Sequence, residues 1–122
     1  MPVKKGSAVE PHDLSRTIAL LAEEKKAADI LVLDVSSLTT VTEAFVICTG
    51  GSEPQLAAIT ESVVSGMAEQ GIMPAHRHRE AASHWIVLDY GSVIVHIFTP
   101  PERDYYQLER FWSEARTVLR VQ

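Results

Sequence analysis

Residues 85–98 read WIVLDYGSVIVHIF, and this stretch decides the fold. Two alternating β-rich runs flank a glycine-containing turn, the pattern of an antiparallel hairpin. With the turn at Tyr90-Gly91, residue 89 faces 92, 87 faces 94 and 85 faces 96. One face then carries Ile86, Leu88, Val93, Val95 and Ile97, all aliphatic and suited to a core. The other carries Trp85, Val87, Asp89, Ile94, His96 and Phe98. That mixture of aromatic, aliphatic and ionisable groups resembles the centre of an interface. It also suits a second core face, with Trp85 and His96 hydrogen-bonded inside. So short a chain has few helices with which to cover both faces of a sheet, which favours an open face that docks a partner.

Working outward, Asp13 can cap a helix running to about Ala28, with Leu14, Ile18 and Leu21 at helical spacing. DILVLDV (29–35) is a continuous apolar strand of the kind covered on both faces. SSLTTVTE (36–43) is a hydroxyl-rich connection, and AFVICT (44–49) is a second strand ended by Gly50 and Gly51. Ser52 with Gln55 three residues later makes a capping-box pattern, and Pro54 is tolerated in a first helical turn. Leu56, Ile59, Val63 and Met67 line one face of that helix until Gly71 ends it. IMPAHRHRE (72–80) can hold a short strand. After Pro100 and Pro101, a last helix is expected from about Glu102 to Leu119, with Tyr105, Leu108, Trp112, Ala115 and Leu119 inward. The order α-β-β-α-β-β-β-α implies an α/β or α+β fold with a mixed sheet.

The chain has 122 residues, 46% hydrophobic and 22% charged, which suits one domain with one core. Its formal net charge is −5. An acidic domain is poorly suited to gripping nucleic acid phosphates, so a large partner should be basic. Cys48 is the single cysteine; no internal disulfide can form, and its place in FVICTG suits a small buried hydrophobe. No run approaches the roughly 18 apolar residues of a membrane span. The polar residues 1–12 are expected to be a disordered lead-in to a domain over 13–120, and the location to be cytoplasmic.

The Gly50-Gly51-Ser52 turn joins a strand to a helix, where backbone N–H groups can bind phosphate. Phosphoryl transfer also needs metal ions held by closely spaced carboxylates. The next stretch offers His76, Arg77, His78 and Arg79 instead, while Asp34 and Glu43 lie on other elements. No Lys-Ser/Thr pair follows the glycines, so this is not a P-loop. The turn reads as a tight turn before a capped helix. His76 and His78 would share a strand face, and His84 and His96 could be neighbours in the hairpin region, but no third ligand is evident. Neither metal nor cofactor is expected.

WIVLDYGSVIVHIF followed by ERDYYQLERFW resembles the ribosomal silencing factor family, RsfS, also called Iojap-like. VLDV…TEAFVICTGGSEPQ matches the N-terminal half of the same family. The resemblance covers roughly residues 13 to 113. It implies a nucleotidyltransferase-like mixed sheet with helices packed mainly on one face, lacking the catalytic carboxylates. It also implies a non-enzymatic translation repressor that binds ribosomal protein L-fourteen of the large ribosomal subunit and blocks subunit joining. Matched positions are Asp34, Gly50, Ser52, Trp85, Asp89, Gly91, His96, Arg103, Tyr106, Leu108, Glu109 and Trp112. Two departures stand out. Glu43 replaces the usual Asp, and His78-Arg79 replace a usual Glu-Gly pair. The expected partner-binding residues are Trp85, Val87, Asp89, Ile94, His96, Phe98, Tyr106 and Glu109. Two rivals stay open: a divergent nucleotidyl transferase using Asp34, Glu43 and the Gly50–Ser52 turn, and a homodimer pairing through the open face.

Overall fold

The computed structural model describes residues 10–79 and 84–122. The expected lead-in therefore lies outside the described residues up to residue 9. The chain runs α1 (Pro11–Glu23), β1 (Ala28–Asp34), β2 (Ala44–Thr49), α2 (Glu53–Ala68), β3 (His76–Arg79), β4 (Trp85–Asp89) and β5 (Val93–Phe98). It ends with α3 (Pro100–Tyr106), α4 (Leu108–Phe111) and β6 (Arg116–Val121). The strands form one sheet in the order β3-β4-β5-β2-β1-β6. The β2–β5 pairing is parallel and the others are antiparallel.

Strand register explains the core. Val32 pairs with Val46, Val46 with Val95 and Val95 with Leu88, so four aliphatic side chains cross the sheet in one row. Each is buried, contributing about 1.5–3 kcal/mol against an exposed side chain. On this face lie Leu14, Ile18 and Ala22 of α1 and Leu56, Ile59, Val63 and Met67 of α2. The two helices also bond to each other, Ser62 Oγ donating to the Leu21 carbonyl at 2.8 Å. The opposite face holds Leu31, Leu33, Phe45, Ile47 and Phe98, against which Leu108, Trp112 and Ala115 pack. The long helices thus share one face, while the short C-terminal helices and their connection lie over the other.

Several expectations need correction. The first helix starts at Pro11 rather than after Asp13, which sits in its first turn. It ends at Glu23 rather than Ala28, because the chain reverses through Lys26 at φ 66°. The hairpin register is displaced by two residues: Asp89 pairs with Ile94, Val87 with His96 and Trp85 with Phe98. Residues 90–92 make a longer turn, with Gly91 at φ 83° and its N–H donating to Asp89 Oδ1 at 2.8 Å. A slip of two preserves which side chains share a face, so both face assignments stand.

The C-terminal half of the last expected helix is not a helix. Gln107 takes a left-handed conformation, φ 48°, that splits it into α3 and α4. Arg116–Val121 then returns as β6, pairing antiparallel with β1. The sheet therefore has six strands, and β1 gains a second neighbour for its backbone groups.

Candidate docking surface and glycine turn

The mixed face of the hairpin becomes the middle of a ladder of rings. Tyr105 meets Tyr106 at 5.0 Å between centroids, Tyr106 meets Trp85 at 4.6 Å and Trp85 meets His96 at 5.9 Å. His96 then meets Phe45 at 5.0 Å, Phe45 meets Trp112 at 5.2 Å and Trp112 meets Phe111 at 5.5 Å. Phe98 stacks on Trp85 at 4.9 Å. Such ring pairs contribute beyond the area they bury. The ladder is buried at its centre and open at its ends: Phe98 is 0% exposed and His96 7%, against 78% for Tyr105 and 79% for Phe111.

The expectation of an open sheet face is corrected accordingly. Phe98 and His96 lie in the chain's own core, roofed by the C-terminal segment. Trp85, Val87, Asp89 and Ile94 are half-buried, and Tyr106 is exposed. Glu109 is half-buried and accepts from Arg103 Nε at 3.0 Å. Tyr105, expected inside, is outside. Phe111 was missed. Its signal was available: Tyr105-Tyr106 and Phe111-Trp112 are adjacent pairs, and neighbours on a helix do not face the same way.

Trp85 Nε1 donates to His96 Nδ1 at 3.2 Å, so the neutral imidazole keeps its proton on Nε2. Burial pushes His96 down to about 4, since charging the ring would strand a cation among aromatics. His96 is thus a neutral member of the ladder. Burial likewise pushes the Cys48 thiol up to about 12.

The segment carrying Tyr105, Tyr106 and Phe111 is held by Arg103. Its Nη1 donates to the Asp29 carbonyl at 2.6 Å and to Thr49 Oγ1 at 2.8 Å, while Nε reaches Glu109. One guanidinium therefore joins α3 to β1, β2 and α4.

The glycine turn is already filled. Gly51 N donates to Gln55 Oε1 at 2.6 Å, and Ser52 Oγ accepts from Gln55 N at 3.3 Å. Gln55 Nε2 donates in turn to the Lys25 and Lys26 carbonyls. Asp34 and Glu43 lie at the other end of the strands, for Asp34 pairs with Ala44 whereas Ala28 pairs with Thr49 beside the glycines. A six-residue strand separates them by roughly 17–20 Å. Asp34 is also engaged: it accepts from Ser36 Oγ at 2.6 Å and lies 3.0 Å from His12 Nε2. Arg116 is at 3.3 Å. The Ser36 bonds hold its carboxyl at about 2. The parts of the rival transferase site are not brought together. Nor are the histidines: His84 Nε2 pairs with Glu53 at 3.0 Å, whereas His96 Nδ1 accepts from Trp85. Among the described residues no cluster of three His, Cys, Asp or Glu could hold a metal ion.

Residues 8–122 match the family described as "Ribosomal silencing factor during starvation". The chain belongs to this family. It is 36% identical over 97 residues to the ribosomal silencing factor RsfS of Bacillus subtilis, covering 80% of this chain and 82% of that one. The chloroplastic protein Iojap of Arabidopsis thaliana is 37% identical over 101 residues, 83% of this chain and 42% of that longer protein. The fold is similar to a crystal structure of a Chromobacterium violaceum protein, with TM-score 0.82 and 31% identity over 86% of this chain and 88% of that one. Among the described residues no helix is long and apolar enough to cross a membrane.

Proposed function

We propose that this member of the family is a cytoplasmic, non-enzymatic translation repressor. It docks on ribosomal protein L-fourteen of the large ribosomal subunit and blocks joining of the small subunit. The observation that carries this reading is the aromatic ladder, solid in the middle and exposed at Tyr105 and Phe111. Exposed aromatic anchors beside half-buried Trp85, Val87 and Ile94 supply what an interface centre needs. Half-buried Asp89, on the same hairpin face as Trp85, would complement Lys or Arg on a basic partner, speeding encounter, whereas Glu109 is already paired with Arg103. The filled glycine turn and the distant Asp34 support a scaffold rather than a transferase.

Sedimentation of the purified chain with isolated large and small subunits tests this. It should travel with large subunits, and Tyr105→Ala with Phe111→Ala should release it while the chain keeps a cooperative thermal transition, lowered only by the loss of two exposed ring contacts. Binding should fall only modestly with salt, as for a few screened pairs around an apolar centre. Sedimentation with small subunits, or equal competition by naked ribosomal RNA, would refute the proposal. Ultracentrifugation of the free chain separates this use from self-pairing through the same aromatics.

A further inference from the structure

Beside the Arg103 clasp, a cleft of about 670 Å³ opens between the α1–β1 turn, α3–α4 and β6. We propose that it binds a phosphorylated, hydroxyl-bearing small molecule of nucleotide size. This site is separate from the aromatic ladder, and the proposal does not depend on ribosome docking.

The volume falls in the range of small-molecule pockets. In a chain of net charge −5, the cleft nevertheless gathers Lys26, Arg103, Arg110 and Arg120. Arg103 fixes the wall from within. Arg110 and Arg120 are exposed and line the same space from different elements, α4 and β6, with Arg110 Nη1 donating to Gln107 Oε1 at 3.1 Å. Arginines converging from separate elements suit phosphate oxygens.

A second observation concerns the backbone. The non-glycine residues with left-handed φ among the described ones are Lys26, Asp29 and Gln107, and all of them line this cleft. Glycine would adopt these conformations without strain. Keeping long polar side chains there instead puts an ammonium and an amide at the cleft, and strain of this kind gathers at functional sites.

The third observation defines the rest of the ligand. Glu109 Oε2 is taken by Arg103, but its Oε1 is a buried acceptor with no partner. Asp29 and Asp104 also line the space. These carboxylates would repel a bare anion but accept hydrogen bonds from hydroxyls. A ligand with phosphate at one end and sugar hydroxyls at the other satisfies both sets. The N–H of Gly51 plays no part, since Gln55 holds it.

Calorimetry of the full chain with adenosine monophosphate, ribose 5-phosphate, inorganic phosphate and a short single-stranded RNA tests the proposal. Saturable binding of the first two at millimolar concentration or below is expected, with inorganic phosphate weaker. Joint Arg110→Glu and Arg120→Glu should weaken binding at least about tenfold, as lost charge-assisted bonds do. Lys26→Gly separates a ligand role from a structural one. It relieves strain, so the melting temperature should hold or rise while binding falls. Four outcomes would overturn the proposal: no saturable binding, binding unchanged in these variants, inorganic phosphate binding as tightly as the nucleotide, or binding of single-stranded RNA alone.

Discussion

His96 should make folding stability depend on pH in a window set by its burial. The Trp85 bond fixes the neutral tautomer, and the remaining Nε2–H has no hydrogen-bond partner. Its pKa falls from 6.5 to about 4 because Phe45, Phe98 and Trp85 surround the ring and exclude water. As pH drops, the unfolded chain takes up this proton before the folded chain does. The contribution is therefore complete above pH 6.5 and is lost progressively as pH falls towards 4. At about 1.4 kcal/mol per tenfold change in proton affinity, the loss across the window is ~3 kcal/mol.

The assay is urea unfolding of wild type and His96→Phe, stepped from neutral pH down to the foot of that window. Phenylalanine removes an acceptor from Trp85, costing about 1 kcal/mol, but also removes the unpaired Nε2–H, which offsets it. The two proteins should thus be close in stability at neutral pH, and the variant should pull ahead by ~3 kcal/mol as His96 protonates in the unfolded wild type. The His12–Asp34 and His84–Glu53 pairs occur in both proteins and cancel in the difference. Two unfolding series that stay parallel across the whole range would refute the reasoning, because His96 would then titrate alike in folded and unfolded chains.

Other expectations follow from single groups. Cys48, pushed up to about 12 by burial, should resist thiol reagents in the native state and react once urea unfolds the chain, so rapid labelling of native protein would place it at the surface. Asp34, held at about 2 against an ordinary 3.8, stabilises the fold above the higher value and loses that contribution as pH falls towards the lower one. Asp34→Asn should flatten this acid limb, and an unchanged limb would exclude Asp34 as its source. Gly50→Ala should destabilise by about 1–3 kcal/mol, since its Cβ would stand 3.1 Å from Ile59 Cδ1 and 3.3 Å from the Leu56 nitrogen; an unshifted melting temperature would show that α2 can give way.

Much of the fold was legible because local pattern and tertiary need agreed. DILVLDV and AFVICT were readable as buried strands, and Ser52 with Gln55 marked the start of α2, since the capping bonds are local. The C-terminal segment failed for a physical reason. Trp112, Ala115 and Leu119 recur at helical spacing, and that period hid a strand. Trp112 and Ala115 pack on the second face through a non-helical turn, whereas Leu119 pairs with Val32 inside β6. Thr117, Val118 and Val121 carried the β signal, and a strand as buried as β1 needs partners for its backbone groups on both edges. The docking surface was half-legible. The hairpin alternation put Trp85, His96 and Phe98 on one face, but which of them water reaches depended on a roof that could not be read as one.

That roof also explains how one arginine can serve two sides of the molecule. Arg103 is nearly buried, its side chain 10% exposed, and a buried guanidinium is tolerable only when its donors are met. Asp29 O, Thr49 Oγ1 and Glu109 Oε2 take three of its five, both of those on Nη1 and the one on Nε. The helix–turn–helix they fix shows its aromatics to one side and lines the cleft on the other. Arg103→Met should therefore leave α1, α2 and the sheet core packed but loosen residues 100–112, with faster amide exchange confined to that segment. Lysine cannot rescue it, because a point charge does not reproduce the fork that reaches two strands and α4 at once. Exchange that quickens evenly through β1, β2 and β5 would instead make Arg103 a pillar of the whole core, and the exposed aromatics would owe it nothing in particular.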